Sequence, residues 1–164
     1  TNVSIFHNGK IRHTASLLCA GGHVTADIVH GLQVTQHDAE RLKERFGAGF
    51  EPLVPESDVI ELPSTPGQGA RNAQRRVLAH IMHMRLQEVL EYALDEVTRA
   101  GYHQRLPAGV VLTGGGAMLR TLDRRLGQET GLPVLVAENP LTSVVVGAGM
   151  ILQDLALLKK VAWA

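Results

Sequence analysis

Three adjacent glycines, Gly114-Gly115-Gly116, follow the β-branched and aliphatic run Gly109-Val110-Val111-Leu112-Thr113, and Ala117-Met118-Leu119-Arg120 continues at once as an apolar-periodic segment. The pattern predicts a buried strand turning sharply into a helix. With no side chains on the turn, a ligand can lie directly against its backbone. Amides at the start of the following helix would favour an anion or a polar edge of that ligand. A turn that uses glycine only for its dihedrals accounts for the same residues, since a lone glycine cluster is a weak motif.

A second candidate lies in Ala39-Glu40-Arg41-Leu42-Lys43-Glu44-Arg45-Phe46. Ala39, Leu42 and Phe46 form the apolar stripe of a helix, and Glu40 and Lys43 stand three residues apart on its flank. Such a pair is ordinarily a solvated ion pair worth about 0.2–0.5 kcal/mol. It acquires chemistry only where a ligand lies beside it. His80 and His83 sit one helical turn apart, but His7, His13, His23, His30, His37 and His103 are scattered. None has acidic or cysteine partners at ligand spacing, so no metal is expected. The single Cys19, inside Ala15-Ser16-Leu17-Leu18-Cys19-Ala20, reads as a small buried residue rather than a nucleophile. Alone it makes no internal disulfide, which agrees with a reducing cytoplasm.

These residues must be positioned by a chain of 164 residues, enough for one domain, or two small lobes sharing a sheet, that buries about two-thirds of its unfolded surface. Its 16 basic and 16 acidic residues cancel, so there is no electrostatic footprint for nucleic acid or an acidic membrane. No apolar run reaches membrane-spanning length, and the start lacks the pattern of a signal peptide. The chain opens on Thr1-Asn2 without methionine and enters a strand pattern directly, which reads as an interior cut of a larger protein.

The elements follow in order. Val3, Ile5 and Phe6, the dipeptide Asn8-Gly9, and Ile11 to Cys19 predict an antiparallel hairpin. Gly21-Gly22 is expected to break it, with a helix over Thr25 to Leu32 capped by Thr25 or its neighbour and closed near Gly31. A second helix opens at Thr35-Gln36-His37-Asp38 and stops at Gly47. Residues 48–58 read as loop, Asp58 to Leu62 as an alternating strand, and Pro63 to Gly69 as an exposed connection. A long amphipathic helix is expected from about Asn72 to Arg99. Its basic start (Arg71, Arg75, Arg76) opposes the helix dipole, and the default explanation is a solvated face. After the glycine turn a helix through Leu119, Leu122 and Leu126 should stop at Gly127. Pro133 to Ala137 reads as another buried strand, and a last helix starts at Pro140-Leu141-Thr142-Ser143. Gly147 and Gly149 inside that helix cost about 1 kcal/mol each, so a neighbour pressed against them is expected. The whole predicts an α/β layered architecture with a mixed sheet.

With these elements in place, the chain resembles the nucleotide-binding part of the bacterial actin superfamily, whose ATPase fold is ribonuclease H-like. Val111-Leu112-Thr113-Gly114-Gly115-Gly116 with Ala117-Met118-Leu119 looks like that superfamily's adenosine motif. Thr1-Asn2-Val3-Ser4-Ile5-Phe6 looks like the strand after its second phosphate loop, and Pro140 to Gly149 like its closing hinge helix. The middle of the chain is similar to the FtsA branch: Gly21-Gly22-His23-Val24-Thr25-Ala26-Asp27-Ile28, Ala39 to Lys43, Val59 to Pro63, Leu78 to Leu90 and Gly101 to Gly116. The tail from Met118 to Gly149, with Glu129 to Val134 and Ala137 to Thr142, looks more like the MreB branch.

The resemblance implies the second, C-terminal lobe of a two-lobe ATPase of the FtsA kind. Residues 1–22 and 101–164 would supply the core, and 23–100 an inserted adenine-side subdomain. It implies that Glu40 binds ribose hydroxyls and that the stem of Lys43 covers adenine, with Glu44 as the alternate acid. Gly114, Gly115 and Gly116 would admit the adenosine and α-phosphate, with Met118 as a packing neighbour. The phosphate loops, the water-positioning acid and the aspartate associated with Mg²⁺ would lie upstream. This stretch alone is therefore expected to hydrolyse nothing, and the full protein to be at most a weak ATPase. Implied partners are other copies in a filament, the tubulin-like division ring protein, and the inner face of the cell membrane through a C-terminal amphipathic helix; Leu158 to Ala164 reads either as the start of such a helix or as another truncation. An MreB-like cell-shape filament, a phosphotransferase or chaperone ATPase on the same lobe, and a nucleotide-free interaction module are the alternatives.

Overall fold

In the computed structural model, which describes residues 1–64, 69–103 and 105–153, Asn8 and Gly9 both take left-handed φ, 54° and 70°. Those dihedrals are what a two-residue hairpin turn of the I′ kind requires. They join β1 (Asn2–His7) to β2 (Lys10–Ser16), paired antiparallel. The second strand ends at Ser16, opposite Asn2, instead of running on to Cys19. Beyond it the chain turns inward and buries Cys19.

The two glycines expected to interrupt the chain instead form the first turn of α1 (Gly21–Leu32). Thr25 does not cap this helix. His23 holds its start, its Nδ1 accepting from the Ala20 amide at 3.3 Å. The helix passes Gly31 and ends where Gln33 turns left-handed. The second helix, α2 (Gln36–Phe46), has the bounds its sequence suggests. Thr35 Oγ1 accepts from the Asp38 amide at 3.2 Å, and Gly47 closes it. A short 3-10 turn, Glu51–Leu53, precedes β3 (Val59–Leu62), whose residues alternate exposed and buried.

The long helix starts later than its periodicity suggests. Arg71–Gln74 forms β4, paired antiparallel with β3, and only then does α3 (Arg75–Arg99) begin. Cross-strand hydrogen bonding overrides the helical pattern there. Its basic start is also not a solvated face. Arg71 donates to the carbonyls of Leu32 and Gln33 at the end of α1. Arg75 donates to Phe46 O at the end of α2 (2.9 Å) and to Asp58. Arg76 pairs with Glu51 and Glu56. Arg71 and Arg75 thus sit on the negative ends of two other helices, where the dipole favours them.

At 25 residues, α3 runs roughly 37 Å and serves as the spine. The main cluster packs against its first half: Val24 and Ile28 from α1, Leu42 from α2, Ile60 and Leu62 from β3, and Leu78 and Met82 from α3 itself. A second cluster, centred on Leu86, Leu122 and Leu126, joins the spine to the C-terminal elements.

Those elements are β5 (Val110–Leu112), a 3-10 turn Gly115–Met118, α4 (Leu122–Thr130), β6 (Val134–Val136) and α5 (Ser143–Gln153). β5 and β6 pair in parallel. The helix expected to follow the glycines directly is broken: the 3-10 turn ends at Met118, and Thr121, with φ 67°, restarts the chain as α4. Gly127 lies inside α4, and Gly131, also left-handed, ends it. The strands β5 and β6 were expected to be buried, yet Val111, Leu135 and Val136 are exposed. Among the described residues nothing lies within 4 Å of a Cβ at Gly147 or Gly149, so they do not supply the close neighbour expected there. Parallel and antiparallel pairings are both present, as three separate two-stranded ladders. No helix of the described residues is long and apolar enough to cross a membrane. The tail Leu158 to Ala164 and most of the Pro63–Gly69 connection lie outside the described residues.

Candidate functional site

Glu40 and Lys43 do not point to solvent as a simple flank pair. Both reach the N-terminal turn of α1. Lys43 Nζ lies 2.7 Å from Glu40 Oε1 and 2.8 Å from Oε2, donates to Thr25 Oγ1 at 2.8 Å, and donates to the carbonyl of Gly21 at 3.2 Å. Thr25 Oγ1 in turn lies 2.6 Å from Glu40 Oε2. The amphipathic face of α2 explains the arrangement: Ala39 and Leu42 are buried against the α1 cluster, and the next positions round the helix face the end of α1.

Burial alone would push the Glu40 carboxyl up, but hydrogen bonds from Lys43 and Thr25 and the nearby ammonium outweigh it and hold the carboxyl below its ordinary range. Glu40 is therefore an ionised acceptor at neutral pH. Its side chain is 44% exposed, against 12% for Lys43, so the acid remains open to a ligand while the base is largely enclosed. Glu44, the alternate acid, is exposed and outside this cluster.

The glycine turn is anchored separately. The Gly114 amide donates to Pro140 O at 2.8 Å, and Thr113 Oγ1 donates to the same carbonyl at 3.1 Å. Gly114 has φ 79°, which requires glycine for backbone reasons alone. Above the backbone, however, the space is open: among the described residues no atom lies within 4 Å of a Cβ at Gly114 or Gly116, and Gly115 meets only Leu141 at 3.8 Å. Met118 is exposed beside them. No hydrogen bond joins this turn to the Glu40 cluster among the described residues. Packing does link the two. Leu119, directly after the turn, rests on the cluster that holds Val24 and Leu42, and Arg120 O accepts from the Gly49 amide at 2.7 Å.

Sequence reasoning missed Thr25 and Gly21 as parts of the Glu40 cluster. The glycine pair was visible, but nothing in a one-dimensional pattern says that the start of one helix meets the flank of the next. Two further histidines meet carboxylates: His80 Nδ1 lies 2.7 Å from Glu51 Oε2, and His13 Nε2 lies 3.2 Å from Glu96 Oε2. The hydrogen bond with His80, joined by that with Arg76, lowers the Glu51 carboxyl against the opposing effect of burial. Among the described residues no group of three or more His, Cys, Asp or Glu side chains is arranged to hold a metal ion.

Comparison with known proteins adds three observations. A family model described as "Cell division protein FtsA" matches residues 1–149. The cell division protein FtsA of Pseudomonas aeruginosa is 36% identical over 115 residues, 70% of this chain and 28% of that protein. The FtsA of Rhizobium meliloti is 32% identical over 163 residues, 90% of this chain and 37% of the relative. The chain thus spans about a third of the length of the curated relatives it matches. Among solved structures, MreB 5 of Spiroplasma citri bound to AMPPNP superposes with a TM-score of 0.78 at 18% identity, covering 98% of this chain and 51% of that one. The same protein bound to ADP gives 0.72 over 92% of this chain and 49% of that one. At this identity the likeness establishes the fold.

Proposed function

The chain belongs to the FtsA family of cell division proteins and has the actin-like α/β fold, and from that premise we propose that it forms the adenine-side part of an ATP site in a filament-forming division protein. In this reading residues 23–100 are the adenine-side subdomain, and 1–22 with 101–164 belong to the core of the second lobe. Glu40 accepts the ribose hydroxyls, and the methylene stem of Lys43 lies against the purine. Gly114, Gly115 and Gly116 let the nucleoside and α-phosphate approach main chain, with Met118 as a polarizable neighbour.

The observation that carries the reading is the half-exposed, ionised Glu40 carboxylate, fixed by Lys43 and Thr25 on a helix that shares packing with the residue ending the open glycine turn. The MreB structures, crystallised with AMPPNP and ADP, support it by fold. Phosphate clamping and Mg²⁺ binding belong to other parts of the full-length protein, since phosphoryl chemistry needs the charges held from both sides. ATP then acts as a polymerisation switch with at most weak turnover. The filament of like protomers links the tubulin-like division ring protein to the inner face of the cell membrane, in the cytoplasm. A cell-shape filament of the MreB kind shares this fold, but the family match over residues 1–149 favours division.

Calorimetric titration of ATP and AMPPNP into the full-length protein tests the site. Glu40→Gln should weaken binding about 10-fold or more, the loss expected for a charged hydrogen bond to a ligand hydroxyl. Nucleotide-dependent filaments on a lipid monolayer, without turnover of small phosphate acceptors, test the role. Unchanged affinity in the variant, or brisk transfer to a small substrate, overturns the reading.

A further inference from the structure

The ammonium of Lys43 carries three N–H donors, and three protein groups lie within reach: the Glu40 carboxylate, Thr25 Oγ1 and the carbonyl of Gly21. None is left for a ligand. Thr25 is 2% exposed, so water does not compete for its hydroxyl. That hydroxyl accepts from Lys43 and has one proton to give. Two acceptors are in range, Gly21 O at 3.0 Å and Glu40 Oε2 at 2.6 Å. The shorter contact runs to the charged oxygen, and a hydrogen bond to a carboxylate is the stronger of the two.

A carboxylate offers roughly four lone-pair sites. Lys43 and Thr25 occupy about two of them on the enclosed side, leaving about two on the exposed side, which is what two neighbouring hydroxyls need. Without Thr25, nothing on α1 holds the Glu40 carboxylate itself: its remaining partner is Lys43, three residues on and tied to α1 only through Gly21 O, and the carboxylate is free to turn about that contact. The hydroxyl of Thr25 comes from a different helix and removes that freedom.

We propose that Thr25 is a positioning residue that fixes the Glu40 carboxylate for recognition of a vicinal diol, so that the site selects ribonucleotides over 2′-deoxyribonucleotides. The inference rests on the ATP reading above and adds to it the origin of sugar specificity. Thr25 touches no ligand and acts through Glu40.

The test is calorimetry on the full-length protein with ATP and 2′-deoxy-ATP. The unaltered protein should prefer ATP by roughly 10-fold or more, because a group built to receive a hydroxyl penalises its absence. Thr25→Val, which keeps the shape and deletes the hydroxyl, should bring the ratio to within about threefold of unity. Thr25→Ser should restore it, an outcome that a packing role for the γ-methyl would not produce. If Thr25→Val loses its folded far-ultraviolet signal, Thr25→Ala against Thr25→Ser supplies the same contrast. Retained discrimination in the variant lacking the hydroxyl overturns the role of Thr25 alone. Equal affinity of the unaltered protein for both nucleotides overturns diol recognition while leaving ATP binding intact. No binding of ATP at all removes the parent reading and this one together.

Discussion

The first half of α3 and the elements around it bury their aliphatic side chains, whereas β5, β6 and α5 present theirs to solvent. Ile28, Leu78 and Met82 are wholly enclosed, but Val111, Leu135, Val144, Val145 and Met150 are exposed. The residue types are the same. The difference lies in what covers them: α1, α2, β3 and α3 close on one another, while a two-stranded parallel ladder and a single helix cannot. Parallel strands are ordinarily covered on both faces, and two strands alone are marginal. The half built round α1, α2, β3 and the start of α3 therefore stabilises itself, and the C-terminal half joins it through Leu122 and Leu126, which cluster with Leu86.

Breaking the first half should be the most costly change. Met82 has no exposed surface, and its terminal methyl lies 2.7 Å from where a Cβ at Gly47 would stand. Met82→Ala is expected to lose about 2–5 kcal/mol in urea unfolding, the range for truncating an enclosed core side chain. A loss under 1 kcal/mol would mean that this half is not the stability centre.

The joint between the halves should come next. Arg125, on α4, is 1% exposed and donates to His83 O at 2.9 Å, to Gly49 O at 3.3 Å and to Glu129 at 2.9 Å. Arg125→Leu strips the guanidinium donors from Gly49 O, which is buried, and from His83 O, which keeps its place in the α3 ladder, and is expected to cost about 1–3 kcal/mol, again read by urea unfolding. Glu129 is partly solvated and adds little.

The same joint gives a pH signature. Burial, reinforced by the charge of Arg125, pushes the His83 imidazole below its ordinary value near 6.5. The folded protein then binds fewer protons at this site than the unfolded chain. Its contribution to stability is complete above pH about 6.5 and is lost as pH falls through the folded value. The groups facing the ring are Arg125 and Glu129 from α4, Glu51 from the 3-10 turn and His80 from α3. His83→Gln should flatten the stability profile across that window, and in Arg125→Leu the His83 resonance should titrate at higher pH.

The two halves also differ in how readable they were. Asn8-Gly9, the Thr35 cap, Gly47 and the alternation of Val59 to Leu62 act within a few residues, and each has its expected structure. Arg71-Asn72-Ala73-Gln74 has no apolar alternation, and only pairing with β3 makes it a strand. Arg71 and Arg75 bond carbonyls 38 or 39 and 29 residues away, a distance that local charge patterning does not span. Glu40 and Lys43 stood out by spacing, but Thr25 joins them only once two helices have docked. Periodicity marked the residues of β5, β6 and α5 as apolar. It carried no information on whether these residues would themselves cover them.

The smallest effect is expected where exposure is greatest, and it is the sharpest test of the contrast. Val145 is exposed on α5, and among the described residues no neighbour presses on Gly147 or Gly149 beside it. Val145→Asp in this chain should change urea stability by no more than about 0.5 kcal/mol, as for surface sites without buried partners. In the full-length protein the same substitution separates two physical situations. If the face stays open, the change remains near zero. If another part of the protein covers it, an unpaired carboxylate is forced into an apolar contact and the loss rises to about 1–3 kcal/mol or beyond. A loss of that size already present in the 164-residue chain would show that α5 is packed here after all, and the contrast between the halves would fall.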